Sequence, residues 1–499
     1  MCGFVCLWKI DEPELARSMI QKIAHRGPDD VRISRMPGVP AVMAHARLSI
    51  IGPEDGAQPI RCADDLLVAN GEIYNYADLR AILGEAAFAT RSDSETILHL
   101  HRTAERRWIA KLDGMFAFVL ASPQRVVAAR DPLGIKPLFM ARLGEGLAFA
   151  SELKAFDGLA VRDVVAIGPG ALFDSTDGFR TWYRMPQGAA ELAPGEDAEP
   201  IWRELRLVLE TAVRKWLVAD VEVGAFLSGG LDSSVIAALA ARALDGRLKT
   251  FSVGTVGSPD LAAARAVAAH IGSEHHELTF TADDLADALP HVLYHLESAD
   301  VDLVRSALPT HFATTLARRH VKAVLTGEGA DELFAGYTYH HAYAGKPRAL
   351  ADELTRSLGT MHNINLQRVD RITMAQGLEA RTPFLDRELI DFAQSIPASL
   401  KLKVTDPGTR ETTEKWILRK ACEDLLPAEL IWRKKAQFDE GSGTVEALGR
   451  ALSGLRGDTP PIDRQREAAL YERLLRAQYR NPDLILANAG MWTVDRIAI

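Results

Sequence analysis

Residues 226–234 read Phe226-Leu227-Ser228-Gly229-Gly230-Leu231-Asp232-Ser233-Ser234. A mostly apolar run, Val221–Leu227, precedes the glycines, and an Ala-rich run, Ser234–Leu244, follows them, which predicts strand, loop and helix. Glycines let backbone amides approach a phosphate closely, hydroxyls add donors, and a helix N-terminus favours negative charge. The loop lacks the lysine of a Walker A sequence, so the kinase and ATPase motif does not apply. An aspartate inside an anion-binding loop repels phosphate unless a divalent cation lies between them, so Asp232 points to Mg²⁺. The competing reading is a plain Gly/Ser turn that caps a helix.

The same grammar continues downstream. Thr250–Val253 reads as a strand, Asp260–Ile271 as a helix and His276–Phe280 as a strand. A helix near 307–319 precedes the strand Val321–Thr326. Strands alternating with helices predict a parallel sheet whose ligands bind at the carboxyl ends of its strands. A second glycine-rich stretch, Leu325-Thr326-Gly327-Glu328-Gly329-Ala330-Asp331-Glu332, follows the last of these strands. Beyond about 350 the pattern is mostly helical.

Upstream, residues 1 to about 185 read as short strands separated by Gly, Asp and Pro clusters, among them Val42–Ala46, Leu66–Ala69, Phe116–Leu120 and Val126–Ala129. One helix is expected at about 13–24. Another is expected from Ser92-Asp93-Ser94-Glu95, which has capping-box spacing. The stretch 186–200 is rich in Pro, Gly and acid without periodicity and reads as a linker.

Cys2 follows the initiator. If Met1 is removed, Cys2 carries both a thiol and an α-amine of pKa about 7.7–8.0, a nucleophile and a base in one residue. Arg47, in Arg47-Leu48-Ser49-Ile50-Ile51, offers a guanidinium suited to a carboxylate. Asn70 and Gly71 could donate to a developing oxyanion, and Glu72 and Asp93 could hold an α-ammonium. Asn-Gly is also a common turn, and an Arg–Asp pair is often a surface ion pair. Together these groups match an amino acid whose side-chain amide is cleaved by a thiolate, which is glutamine.

Composition narrows the class. The 499 residues are 47 % hydrophobic and 25 % charged with a net charge of −9, ordinary for a globular protein of two or three domains. The acidic balance gives no electrostatic reason to bind nucleic acid or an anionic membrane. No run approaches a membrane span, and no basic run followed by an apolar core follows Met1. The 4 cysteines are too sparse for a disulfide framework, so a reducing cytoplasmic location is expected.

Met1-Cys2-Gly3, His25-Arg26-Gly27-Pro28-Asp29, Arg47–Ile51, Asn70–Asn75, Ser92–Glu95 and Asp131–Leu138 resemble the N-terminal-nucleophile domain of the class II glutamine amidotransferases. The Ser228 loop is similar to the pyrophosphate loop of ATP pyrophosphatases. Both halves in this order, with Gly257–Leu261, His275-His276-Glu277 and Glu379–Asp386, resemble the glutamine-hydrolysing asparagine synthetase family over about residues 2–445. The resemblance implies an α+β glutaminase domain, an αββα sandwich, at 2–185. A linker at 186–200 and an α/β ATP-pyrophosphatase domain with a parallel sheet and a helical C-terminal part at 201–499 would follow. It implies Cys2, Glu328 and Lys435 as catalytic residues, with Asn70 and Gly71 forming the oxyanion hole. Glutamine would be held by Arg47, Leu48, Ser49, Ile50, Ile51, Asn70, Gly71, Glu72 and Asp93. ATP would be held by Leu227, Ser228, Gly229, Gly230, Asp232, Ser233, Ser234, Val253, Thr326 and Gly327. Mg²⁺ would be shared by Asp232 and Asp331, and aspartate would be met by Arg305, Ser306 and Arg381 with Glu328 and Asp331. It further implies a protected route for ammonia between the sites, and a homodimer. Thr326 stands where the family usually has Ser, and Ala335 where it usually has Gly. An acceptor other than aspartate is the alternative, and the tail after about 445 is unassigned.

Overall fold

Every residue of the first strand, Cys2–Trp8, is buried, which requires cover on both of its faces. The structure, a computed structural model, describes residues 2–103, 105, 107–191, 197–244, 246–406, 411–433, 441–456, 464–488 and 490. In the first half lie β1 (Cys2–Trp8), β2 (Asp30–Arg35), β3 (Ala41–Arg47), β4 (Ile60–Cys62), β5 (Asp65–Ile73) and β6 (Gly114–Ala121). They are followed by β7 (Val126–Arg130), β8 (Phe139–Leu143), β9 (Gly146–Ala150), β10 (Arg162–Ala166), β11 (Ala171–Asp174) and β12 (Gly178–Thr181). These strands form two antiparallel sheets, ordered β10-β8-β9-β1-β3-β2 and β12-β11-β7-β6-β5-β4. The pleat decides the layers. Phe4, Cys6 and Trp8 of β1 meet Val68, Val119 and Ala128 of the other sheet. Val5 and Leu7 instead meet Met19 and Ile20 of the helix Pro13–Gln21. Ile97 and Leu98 of the helix Glu95–Arg102 cover the outer face of the second sheet. The result is the expected αββα sandwich.

The second half is built on a parallel sheet of β13 (Val223–Phe226), β14 (Lys249–Gly254), β15 (Glu274–Thr279), β16 (Ala323–Leu325) and β17 (Glu379–Arg381). Its order is β15-β14-β13-β16-β17, and every neighbouring pair runs parallel. Chain order reverses between β13 and β16, so the loops after those two strands open side by side at the topological switch point. A hairpin of β18 (Leu402–Asp406) and β19 (Glu411–Glu414) lies outside this sheet. No helix among the described residues is long and apolar enough to cross a membrane.

Several elements differ from expectation. The helix after the Ser228 loop starts at Leu231, which draws Asp232 and Ser233 into its first turn. The helix expected near 307–319 spans Val301–Ala317, begun by an Asp300 carboxylate that accepts from the amides of Asp302 and Leu303, each at 3.0 Å. The Ser92–Glu95 spacing makes no capping box. Glu95 instead accepts from the Ala89 and Thr90 amides, both at 2.8 Å, and pins the preceding loop. Residues 187–189 of the expected linker run along the second half, where the Ala189 amide donates to Gln394 O at 2.9 Å. The tail is also structural. Helices Thr444–Arg456 and Arg464–Arg476 pack Leu448 and Leu470 against the helix Ala282–Leu296. Leu475 and Ile485 join the core of the first half.

Candidate active sites

Cys2 opens β1 opposite Arg47 of β3 and is buried. Its backbone nitrogen donates to Asn70 Oδ1 at 3.0 Å, which ties the two sheets together at this point. With its oxygen so committed, the amide of Asn70 keeps a buried Nδ2 without a protein partner, a spare donor beside the sulfur-bearing residue. Burial pushes the Cys2 thiol up, while the Leu48 amide and Arg47 draw it down. Asn70-Gly71 is not a turn. It lies inside β5, where Gly71 has φ 141° and a side chain would run into the Met115 carbonyl.

Arg47 donates to the carbonyls of Ile51 at 3.3 Å, Gly52 at 2.5 Å and Pro53 at 3.0 Å, folding the loop after Leu48 around its guanidinium. The Ser49 amide donates to Asp29 at 2.8 Å and fixes the other side of that loop. Asp93 accepts from the Ile73 amide at 2.7 Å. Burial raises its pKa, as it does that of Glu72, which Glu379 and Asp93 push further up. Glu72 and Asp93, two buried acids in mutual reach, therefore make an environment that favours a cation such as an α-ammonium.

β17 stands between this region and the second site. Arg381 donates to Glu379 at 2.5 Å and to the carbonyls of Trp216 and Val218 at 2.7 and 2.8 Å. Its guanidinium lies 5.7 Å from the Tyr74 ring, while its carbonyl accepts from the Thr326 amide at 2.8 Å. Arg381 is a residue expected to meet the acceptor. It is fully buried, engaged by β17 and its neighbours, and does not line the large cavity.

That cavity, of about 660 Å³, opens at the switch point. Leu227, Ser228, Gly230, Asp232 and Ser233 line one side, with Val253 beside them. Thr326, Gly327, Glu328 and Asp331 line another, and Arg305 and Ser306 a third. Gly229 of the same loop and Ser234 of the helix that follows do not line it. The Ser228 and Ser233 hydroxyls are 2.9 Å apart, and the Ser228 amide donates to Ser233 Oγ at 3.1 Å, which holds the loop curled. Gly327 is required by close approach, since a Cβ there would lie 2.8 Å from Asp232 Cβ and the Ser233 nitrogen. Ala335 has φ 60°, the left-handed conformation that favours the glycine expected there.

Sequence reasoning missed three residues of this cavity. Lys415 sends Nζ between the two aspartates, 2.6 Å from Asp232 and 2.5 Å from Asp331. Arg368 pairs with Glu328 and donates to Thr310 Oγ1 at 3.1 Å. Glu332 accepts from Tyr337 OH at 2.6 Å and Asn365 Nδ2 at 2.8 Å. Burial and Asp331 push its pKa up to about 7. Arg305 is paired with Glu467 of the tail at 2.6 Å, so the previously unassigned segment braces one cavity wall. Lys435 lies outside the described residues.

The convergence of Asp232 and Asp331 on one ammonium tests the fit of a metal. Two carboxylates from the first turns of adjacent helices reach a single cationic point, which suits a hard divalent ion. Among the described residues no three His, Cys, Asp or Glu side chains group as a metal site, so the remaining ligands would be phosphate and water oxygens.

A family model described as glutamine amidotransferase domain matches residues 1–168. Another, asparagine synthase, matches residues 204–351 and 343–495. The chain is 38 % identical over 468 residues to glutamine-hydrolyzing asparagine synthetase 3 of Arabidopsis thaliana, covering 89 % of this chain and 79 % of that protein. It is 38 % identical over 484 residues to a probable glutamine-hydrolyzing asparagine synthetase of Schizosaccharomyces pombe, covering 89 % and 85 %. A solved structure titled as the allosteric regulatory enzyme of purine biosynthesis is similar over 56 % of this chain and 80 % of its own, at 17 % identity and a TM-score of 0.35.

Proposed function

The chain belongs to the glutamine-hydrolysing asparagine synthetase family, and on that premise we propose that it makes asparagine at two sites backed by one strand, β17. At the first, the Cys2 thiolate attacks the glutamine amide with the α-amine as base. Asn70 and Gly71 stabilise the oxyanion, and ammonia leaves. Arg47 with residues 48–51 meets the substrate carboxylate, and Glu72 and Asp93 meet its ammonium. Water then releases glutamate from the thioester. At the second, Leu227, Ser228, Gly230, Asp232, Ser233, Val253, Thr326 and Gly327 hold ATP, with Gly229 and Ser234 shaping the loop behind them, and the β-carboxylate of aspartate attacks the α-phosphate. β-Aspartyl-AMP and pyrophosphate result, and ammonia displaces AMP. Asp232 and Asp331 would hold Mg²⁺, which when bound neutralises phosphate charge. Lys435 keeps the phosphate-stabilising role that the resemblance implies, and Glu328 is the polar catalytic residue. Arg305 and Ser306 are the residues we assign to aspartate. Ammonia passes between the sites beside β17, because in water at neutral pH it would become ammonium. We place the domains at 2–185 and 201–499, the enzyme in the cytoplasm, and the assembly as a homodimer.

The observation that carries this reading is the convergence of Asp232 and Asp331 beside the curled Ser228 loop. The test is pyrophosphate release from ATP with Mg²⁺ and ammonium, against a panel of carboxylates. Aspartate should give the largest signal, with glutamate, one methylene longer, at least about tenfold lower. Silence with aspartate and a signal with another carboxylate would replace the acceptor.

A further inference from the structure

A chain of buried charges crosses the interface between the two halves, and one end of it touches Cys2. Arg26, fully buried, donates through Nε to the Cys2 carbonyl at 3.0 Å. Its other nitrogens reach Glu152 of the same half at 2.6 Å and, as a fork, both oxygens of Asp370 in the other half at 2.8 and 3.1 Å. Glu152 in turn holds Lys154 Nζ at 2.5 Å, and Lys154 Nζ reaches Glu297 of the second half at 3.0 Å. Glu297 also accepts from the amides of Leu153 and Lys154 at 3.2 and 2.7 Å.

The backbone of Glu297 shows that this arrangement has a cost. It ends the helix Ala282–Leu296 in the left-handed region, φ 58° and ψ 32°, where glycine is the usual residue. A helix cap alone gives no reason for a glutamate there. Its carboxylate does, since it satisfies two amides and a lysine across the interface. A bidentate guanidinium–carboxylate pair also fixes direction as well as distance, so Asp370 determines where Arg26 presents Nε.

We propose that Asp370 is a positioning residue for glutamine hydrolysis. It acts through Arg26 to hold the Cys2 peptide, and hence the sulfur, in attacking geometry, and Glu297 supports it through Lys154 and Glu152. The synthetase half thereby completes the nucleophile site of the other half. This rests on the reading of Cys2 as the nucleophile.

The experiment uses the full chain, as wild type, Asp370→Asn and Glu297→Gly. Three assays are run on each: glutamine hydrolysis for kcat and KM, pyrophosphate release driven by ammonium, and alkylation of Cys2 by iodoacetamide followed by peptide mass. Asp370→Asn should lower the glutaminase kcat about 10- to 100-fold and slow alkylation, with KM and ammonium-driven release within about twofold. Glu297→Gly relieves the backbone and should fold, yet lower the glutaminase kcat selectively by about tenfold. That variant decides the matter if Asp370→Asn does not fold. A wild-type glutaminase kcat in either variant, or equal loss of both activities in Glu297→Gly, would overturn the proposal. A wild-type chain that hydrolyses no glutamine would overturn the functional reading itself.

Discussion

Lys415 joins the two aspartates that motif reading selected at the second site. It is 1 % exposed, takes φ 54°, and bridges the two aspartates. A buried cation between two carboxylates offsets their repulsion, and near a polyphosphate it is a fixed positive charge. Lys415→Met should leave glutamine hydrolysis unchanged and lower pyrophosphate release about 100-fold or more, the scale of losing one preorganised charge in a closed site. Unchanged release would remove Lys415 from the chemistry. Asp232 and Asp331 were legible because each follows a strand in a glycine-rich loop. Lys415 was not, since Glu414-Lys415-Trp416 carries no motif and only the fold brings it to the loops. Glu332 offers a separate check. Its folded pKa of about 7 lies above its ordinary 4.5, so between these values the native state holds a proton that the unfolded chain has lost. Its contribution to stability is full below the lower value and is lost as pH rises through 7, a swing of about 3 kcal/mol. The melting temperature of Glu332→Gln minus that of wild type should therefore increase from pH 5 to pH 8. A gap independent of pH would contradict the shift.

At the scale of elements, the switch point made by β13 and β16 was readable because strand–loop–helix units alternate in the sequence. β17 was not. Glu379-Ala380-Arg381 is charged and short, and it becomes a strand only through its parallel ladder to β16, which no local pattern reports. The apparent capping box at Ser92 failed for a related reason: Glu95 found two amides of the preceding loop instead. The two cavity loops depend on Gly327 for their approach. Gly327→Ala should force them apart, lowering ATP cleavage at least about tenfold through misplacement of the Asp232 turn, with glutamine hydrolysis retained. Pyrophosphate release measured beside glutaminase activity checks this, and unaltered ATP cleavage would show that the loops can yield.

Across the whole molecule, the halves share one apolar core. Ile50, Tyr74 and Met115 of the first pack in the same cluster as Trp216, Leu325 and Phe384 of the second. The sandwich and the parallel sheet were both legible in the sequence, because composition and periodicity are local. It could not show that the tail buttresses both halves through Leu470 and Leu475, nor that Arg381 serves the shared wall, because those roles are contacts between distant segments. The central claim is that ammonia released at Cys2 is consumed at the Asp232 site. The direct measurement supplies glutamine labelled with ¹⁵N in its side-chain amide together with ATP, Mg²⁺ and aspartate, and follows products by mass. The expected result is asparagine one mass unit heavier, with one AMP and one pyrophosphate per asparagine. Cys2→Ala should lose that label transfer while still making asparagine from added ammonium. Formation of ADP and phosphate, or labelled ammonium accumulating with no labelled asparagine, would contradict the account.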